Sequence, residues 1–291
     1  NYIKSGSGND IVVGGLGNDT LDGGAGSDIA KYAGLKSTYS ITTSNGSFIV
    51  KDNATTSDGN DGSDTIVGIE TLQFKDGTQG LAAPIILDLN GDGVRTVNQA
   101  NSKAKFDWDG DGIRDNTAWV GKGDGILVFD RNNDGKVNGA NELSFIQDKP
   151  GAKSDLDGLS SFDTNNDGWF SALDEQWSSF KVWIDKDSDG KVDKREIRTL
   201  ASVDVQGIKL AGTATEASWE WGDAVTVNTG SFLRSNGSLG SFSDVMLGYA
   251  STKNVAGIEN ASFNEALYHP TVGPENIHIA PDNYSWNDYY V

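Results

Sequence analysis

Three consecutive nine-residue units, SGSGNDIVV over Ser5–Val13, GGLGNDTLD over Gly14–Asp22 and GGAGSDIAK over Gly23–Lys31, stand in one phase near the start of this 291-residue chain. Each follows G-G-x-G-x-D-x-U-x, where U is apolar. Glycine permits tight turns that a side chain would resist. The aspartates at place six, Asp10, Asp19 and Asp28, offer carboxylate oxygen to a hard cation such as calcium. The residues at place eight, Val12, Leu21 and Ala30, point into a thin core. Stacked units of this kind make a short parallel β-roll, a β-solenoid whose rungs bury one another. Read backwards, Asn1–Lys4 fill places six to nine of an earlier unit, with Asn1 where the aspartate belongs. We therefore expect an array entered part-way, the carboxy-terminal part of something longer, because three units close little more than one layer of roll.

Beyond the repeats the pattern stays β-like. Tyr39–Thr43 and Ser47–Lys51 alternate apolar and polar residues around Asn45-Gly46, a strong hairpin turn. A polar loop follows at Asn53–Gly62. Thr65–Phe74 alternates again, and Gly59–Val67 is a decayed nonapeptide with Asp64 at the aspartate's place. Leu35–Gly80 thus reads as a β cap, which the open end of a solenoid requires, and Leu81–Pro84 as a linker. The expected division is a roll over 1–34, a cap and linker over 35–83, a second domain over 84–251 and a tail over 252–291.

Composition limits the partners. The 42 acidic and 23 basic residues give a net charge of −19, the wrong sign for nucleic acid or an anionic membrane surface. The natural counter-ion is a metal cation. A hydrophobic share of 36% with eight tryptophans, eight tyrosines and eleven phenylalanines supports true cores. With no cysteine, disulfides and thiol chemistry are excluded. The two histidines, His269 and His278, lie late in the chain and outside any H-E-x-x-H motif, so zinc hydrolysis and a histidine triad are poor expectations. No apolar run is long enough to span a membrane; no signal-peptide pattern opens the sequence either, which says nothing of a chain entered part-way through an array.

A second set of acidic turns fills the middle of the chain. The motif D-x-[DN]-x-D-G starts at Asp88, Asp107, Asp130, Asp163 and Asp185. Alternate side chains of such a loop converge on one cation, and the glycine at place six turns the chain around it. The fifth copy is the fullest: Asp185, Asp187, Asp189, Gly190, Asp193 and Glu196 take places 1, 3, 5, 6, 9 and 12 of an EF-hand loop, with the Lys191 carbonyl at place 7. The fourth offers Asp163, Asn165, Asp167 and Asp174, with Trp169 at place 7. Leu156, Leu159 and Phe162 before it and Phe170, Leu173, Trp177 and Phe180 after it have helical spacing, so helix–loop–helix sites are expected. The third offers Asp130, Asn132, Asp134 and the Lys136 carbonyl, with Glu142 at place 13. The second has Asp107, Asp109, Asp111 and Asp115. The first has Asp88, Asn90 and Asp92 but Gln99 at place 12, and should be the weakest or share ligands. A lone acidic turn is often just solvated. Five copies, each flanked by residues such as Ile86, Phe106, Phe129, Phe162 and Trp183, argue for several calcium ions. Metal-free, so many carboxylates would repel one another and oppose the compact state, so folding should depend on calcium.

The nonapeptides resemble the RTX (repeats-in-toxin) family of secreted bacterial proteins over residues 1 to about 83. That resemblance implies export of an unfolded chain through type I secretion machinery and folding on external calcium. Residues 84 to about 251 are similar to the self-processing module of some RTX proteins, through Pro84–Gly93 (PIILDLNGDG), Trp119-Val120-Gly121, Asp124-Gly125-Ile126-Leu127 and Asn141-Glu142-Leu143. The resemblance implies calcium-triggered cleavage of an Asp-Pro bond just before the module, by attack of the aspartate carboxylate on its own carbonyl, and joining of the new end to a lysine amine. Here Ala83 precedes Pro84, and no Asp-Pro occurs in the chain. Alanine has no nucleophile, so this chain is not expected to act as an enzyme.

Two further readings concern the surface and the tail. Trp219, Trp221 and Trp286 stand in polar contexts where a sugar-binding face is conceivable, against core packing as the ordinary role of tryptophan. Asn287–Val291 places an acid before apolar residues, resembling the end of some type I secretion substrates. The fold class expected is mixed: a β-roll with a β cap, then an α+β EF-hand-like domain closing in strands around Asn236-Gly237. We expect a secreted or cell-surface calcium-dependent folding module, with matrix components or glycans as possible contacts.

Overall fold

The computed structural model describes residues 1–45, 47–54, 60–137, 139–219, 222–250 and 276–279. In chain order its strands are β1 (Tyr2–Lys4), β2 (Asp10–Val13), β3 (Thr20–Asp22), β4 (Ile29–Lys31), β5 (Tyr39–Ser44), β6 (Ser47–Asp52), β7 (Ser63–Val67), β8 (Thr71–Phe74), β9 (Gly77–Ala82) and β10 (Ile85–Leu87). Short pairs frame the next loops: β11 (Thr96–Val97), β12 (Lys105–Phe106), β13 (Asp115–Asn116), β14 (Trp119–Val120) and β15 (Gly125–Phe129). Then come helix α1 (Asp155–Leu159), β16 (Trp169–Ser171), β17 (Phe180–Trp183), β18 (Ile197–Thr199), β19 (Gly207–Lys209), β20 (Thr213–Ala214), β21 (Ala217–Trp219), β22 (Ala224–Leu233), β23 (Leu239–Tyr249) and β24 (Asn276–Ile279).

The repeats coil as their phase requires. β1 pairs in parallel with β3, Tyr2 opposite Thr20, and β2 with β4, Ile11 opposite Ile29. Partners are two units apart, so alternate units lie on opposite sheets of the roll. β7 continues the first sheet, with Leu21 opposite Ile66, and β8 continues the second, with Ala30 opposite Leu72. Thr65–Phe74 is therefore two rungs turned at Gly68 rather than one strand. Val12, Leu21, Ala30 and Leu72 are each fully buried between the sheets. β24 runs parallel to β2, Asp10 opposite Asn276. The hairpin β5–β6 closes with Ser44 opposite Ser47, and Asn45 takes the left-handed φ of 51° that this turn demands. Gly46 lies outside the described residues.

Leu81–Pro84 is not a linker. β9 and β10 lie end to end along β23: Ala82 faces Leu247, Ile85 faces Asp244, and the Val245 amide donates to the Pro84 carbonyl at 3.0 Å. Proline inside a run argues against a central strand; burial of Leu81, Ala82, Ile85 and Ile86 beside β23 decides otherwise. β21 also pairs with β5, Trp219 opposite Ile41. Roll and loop region thus share sheets.

The expected α+β, helix–loop–helix character is the main correction. Among the described residues α1, five residues long and capped by Ser154, is the only α-helix. Leu156 and Leu159 do lie on it, and Phe162 ends the 3₁₀ turn that follows. After the fourth loop, however, Phe170 sits in β16 opposite Ile208 and Phe180 in β17 opposite Phe129. Leu173 between them is 75% exposed. The carboxylate of Asp174 explains why: it accepts the amide of Ser171 at 2.8 Å and that of Thr164 at 2.9 Å, folding the chain back on the loop where a helix would carry it away.

Two aromatic cores support the loops. Phe106, Trp108, Trp119, Trp183 and Tyr249 pack as one buried group. Phe145, Phe162, Phe170 and Phe180 form the other, with Phe129 stacked on Phe180 at 4.6 Å.

Candidate metal centres

In the roll the place-six acids stack in two columns. The carboxylates of Asp28, Glu70 and Asp64 each accept the amide of the equivalent residue one rung away: Asp10 N–H donates to Asp28 at 2.8 Å, Asp28 N–H to Glu70 at 2.7 Å, and Asp19 N–H to Asp64 at 2.9 Å. Asp10, Asp19, Asp28 and Asp64 are all buried. Oδ2 of Asp19 is buried with no hydrogen-bond partner. Burial, reinforced by the charges of Asp19 and Asp61, pushes Asp64 up to about 8. Closely stacked carboxylates offering only oxygen fit calcium. Sequence reading missed Glu70, which follows no glycine pair; its only signal is an acid directly ahead of the apolar Thr71–Phe74 run. The rungs are close enough that a Cβ on Gly24 would lie 2.0 Å from the Gly6 carbonyl oxygen, and one on Gly26 1.8 Å from that of Gly8.

The five acidic loops share one backbone. Place 4 is left-handed in every copy: Gly91 (φ 83°), Gly110 (72°), Asn133 (56°), Asn166 (58°) and Ser188 (59°). So is place 6: Gly93, Gly112, Gly135, Gly168 and Gly190. In each, the first aspartate accepts amides from inside its own loop, for example Asp88 from Gly91 at 2.7 Å and Asp185 from Gly190 at 2.8 Å. Asp107, Asp130 and Asp163 do the same with Gly112, Gly135 and Gly168. Non-glycine residues rarely adopt this φ, so its recurrence at one place marks a common scaffold.

The loops differ in what they bring together. Asp107, Asp109 and Asp111 converge, as do Asp185, Asp187 and Asp189, each set with carboxylate oxygens within 4.8 Å of one another. Asp115 is buried on β13 behind the second loop. Glu196, also buried, closes the fifth by accepting the amides of Lys186 and Asp193, both at 2.9 Å. In the third and fourth loops no three acids converge so tightly among the described residues. There Asn132 and Asn165 accept the amides of Asp134 and Asp167, while buried Glu142 and Asp174 stand behind the loop. At place 7 the amides of Lys136, Trp169 and Lys191 are tied to Asp134, Asp167 and Asp189.

The first loop draws its third acid from elsewhere. Asp88 and Asp92 converge with Asp124 from the turn between β14 and β15. Gln99, expected at place 12, instead donates to the Asn116 carbonyl at 3.0 Å. Asp124 is buried; its Oδ2 accepts the Arg95 amide at 2.8 Å while Oδ1 has no partner. Burial, then the charges of Asp88 and Asp92, pushes it up to about 6. For Asp88 burial acts the same way, but hydrogen bonds from Gly91, Ser241 and Gly93 outweigh it and hold the carboxyl below its usual range. A Cβ on Gly123 would lie 2.3 Å from the Asn90 amide nitrogen, so glycine admits the turn.

Indole donors fix the fifth loop from below. Trp119 Nε1 donates to Asp185 at 2.8 Å and Trp183 Nε1 to Glu196 at 3.3 Å. Arg114 donates to the carbonyls of Lys105 and Gly190, tying the second loop to the fifth. The candidate metal ligands of the loops are all oxygen, without histidine or sulfur, as a hard cation requires. Trp219 is buried and donates to the Asp223 carbonyl, so it offers no sugar-stacking face. Trp221, Trp286, Asn287–Val291 and His269 lie outside the described residues.

Comparison with known proteins agrees with both halves. Residues 1–30 match the RTX calcium-binding nonapeptide repeat and residues 85–248, more than half the chain, match the SPM domain. The iron-regulated protein FrpA of Neisseria meningitidis serogroup C is 31% identical over 175 residues, 56% of this chain but only 15% of that relative. The chain belongs to the SPM-domain family, with RTX calcium-binding repeats ahead of that domain.

Proposed function

We propose that this chain is a calcium-dependent folding module of a secreted RTX protein. The observation that carries the reading is the gathering of acids, most of them buried: Asp19 and Asp64, both buried and stacked rung on rung in the roll, and the exposed Asp92 converging with buried Asp88 and Asp124 in the first loop. Such carboxylates are costly to bury as bare anions. The place-six acids would hold calcium in the roll, and the loop acids with their place-7 carbonyls would hold it in the second region. Bound only by the folded state, the ions supply folding free energy. At about 0.1 to 1 mM, the range typical of extracellular modules, the sites fill outside a cell and empty inside one. Export through type I secretion machinery as an unfolded chain, and folding outside, follow from that difference. No helix of the described residues is long and apolar enough to cross a membrane.

Self-cleavage is not part of the proposal, because Ala83 brings no carboxylate to the Pro84 bond. Far-ultraviolet circular dichroism of chelated protein, titrated with calcium, tests the reading: cooperative gain of β structure near millimolar calcium is expected. A chain fully folded in chelator would reject it. Intact mass of Ala83→Asp before and after calcium tests the scaffold's processing competence separately.

A further inference from the structure

Outside the acidic loops, two fully buried carboxylates meet at the start of α1, where Asp244 accepts the amide of the residue that follows Asp155. Asp155 opens α1 and Asp244 lies on β23, and both have 0% exposure. Oδ1 of Asp155 accepts Ser144 Oγ at 2.8 Å and the amides of Phe145 and Ile146 at 2.9 Å. Oδ2 of Asp244 accepts the Leu156 amide at 2.9 Å and Asn228 Nδ2 at 3.4 Å. The other oxygen of each, Asp155 Oδ2 and Asp244 Oδ1, is buried with no partner.

Two adjacent buried anions repel each other without water to screen them. Among the described residues no ion pair reaches either carboxylate: Arg131 pairs with Asp148, Lys149 with Asp157, and Lys153, which lines a cavity of about 60 Å³ together with Asp244, pairs with neither Asp155 nor Asp244. Glu70, on the same wall, and Asp88, which accepts Ser241 Oγ further along β23, add only negative charge. β22 contributes Asn228 and no titratable group. A calcium ion would need six to eight oxygens, whereas only one oxygen of each carboxylate is left unengaged.

We propose that Asp155 and Asp244 hold one proton between them, and that this proton is the counter-ion that joins the segment after the third loop, helix α1 and β23. The hydrogen is donated from one carboxyl to the free oxygen of the other. Folding thus takes up a proton here while the calcium loops require bare carboxylates. Burial first, and for Asp155 the charge of Asp244 second, raises both groups, Asp244 to about 6 and Asp155 well above its usual range. A folded value above the unfolded one makes this contribution full below the unfolded value and lost progressively as pH rises to and through the folded values, near 6 for Asp244 and higher for Asp155.

Thermal unfolding of the full chain in saturating calcium, from about pH 5.5 to pH 8.5, tests this together with Asp155→Asn and Asp244→Asn, whose amides imitate the shared proton. We expect the wild-type midpoint to fall across that range and the fall to flatten in both variants, with Asp155→Asn about tenfold more stable than wild type at the alkaline end. Calcium stoichiometry should not change. An identical pH slope in variants and wild type overturns the proposal, as does loss of one bound calcium, which would place a metal there. Should neither variant fold, the infrared carbonyl band of a buried protonated carboxyl in calcium-loaded wild type decides: present supports the proton, absent rejects it.

Discussion

The roll and the loop region both gather carboxylates at glycine turns, but they assemble them differently. In the roll an acid is held by an amide from another rung, Asp28 by Asp10 and Asp64 by Asp19. In the loops the first aspartate is held by amides a few positions on, Asp88 by Gly91 and Asp185 by Gly190. A solenoid site therefore exists only when its neighbours do, while a loop keeps its turn by itself. One flaw should spread through the roll and stay local in the loops.

The sharpest way to break that contrast is a matched pair of glycine substitutions. Gly26→Ala should cost about 3 kcal/mol or more, since its Cβ would meet the Gly8 carbonyl at 1.8 Å and its φ is 151°. Calcium-induced β structure should then vanish from the whole roll by circular dichroism. Gly168→Ala has φ 82° but open space around it, so only backbone strain of about 1–2 kcal/mol is expected in calorimetry, confined to the fourth loop. Equal effects would erase the distinction.

A finer test concerns the donors that brace single loops. Trp119→Phe removes the indole bond to Asp185 and should weaken the fifth site about tenfold, read by calorimetric calcium titration, with the roll unaffected. Asp124→Asn should weaken the first loop by a similar factor, and competition with a calcium dye would show one class of site shifting alone. The smallest effect belongs to Leu173→Ser, within about 0.5 kcal/mol, because that side chain is 75% exposed. A large loss of stability there would restore the helical reading.

What was legible in the sequence was what is local. The nonapeptide phase predicts the rungs because each place has a fixed backbone duty, and Asn1–Lys4 pair where their phase puts them. The D-x-[DN]-x-D-G motif likewise announces its own left-handed turns. Spacing alone misread Phe170, Leu173, Trp177 and Phe180, because an apolar residue every third or fourth place also suits two strands joined by a tight turn held on Asp174. Asp124 was hidden for another reason. Its partners Asp88 and Asp92 lie in a different loop, and only the β14–β15 turn brings it to them.

The end-to-end seating of β9 and β10 on β23 makes that strand a splint across the Ala83–Pro84 bond. With β21 clasped to β5 as a second fastening, a chain severed at this point would travel as one particle. A cut here would show on a denaturing gel yet leave the sedimentation of the native protein unchanged.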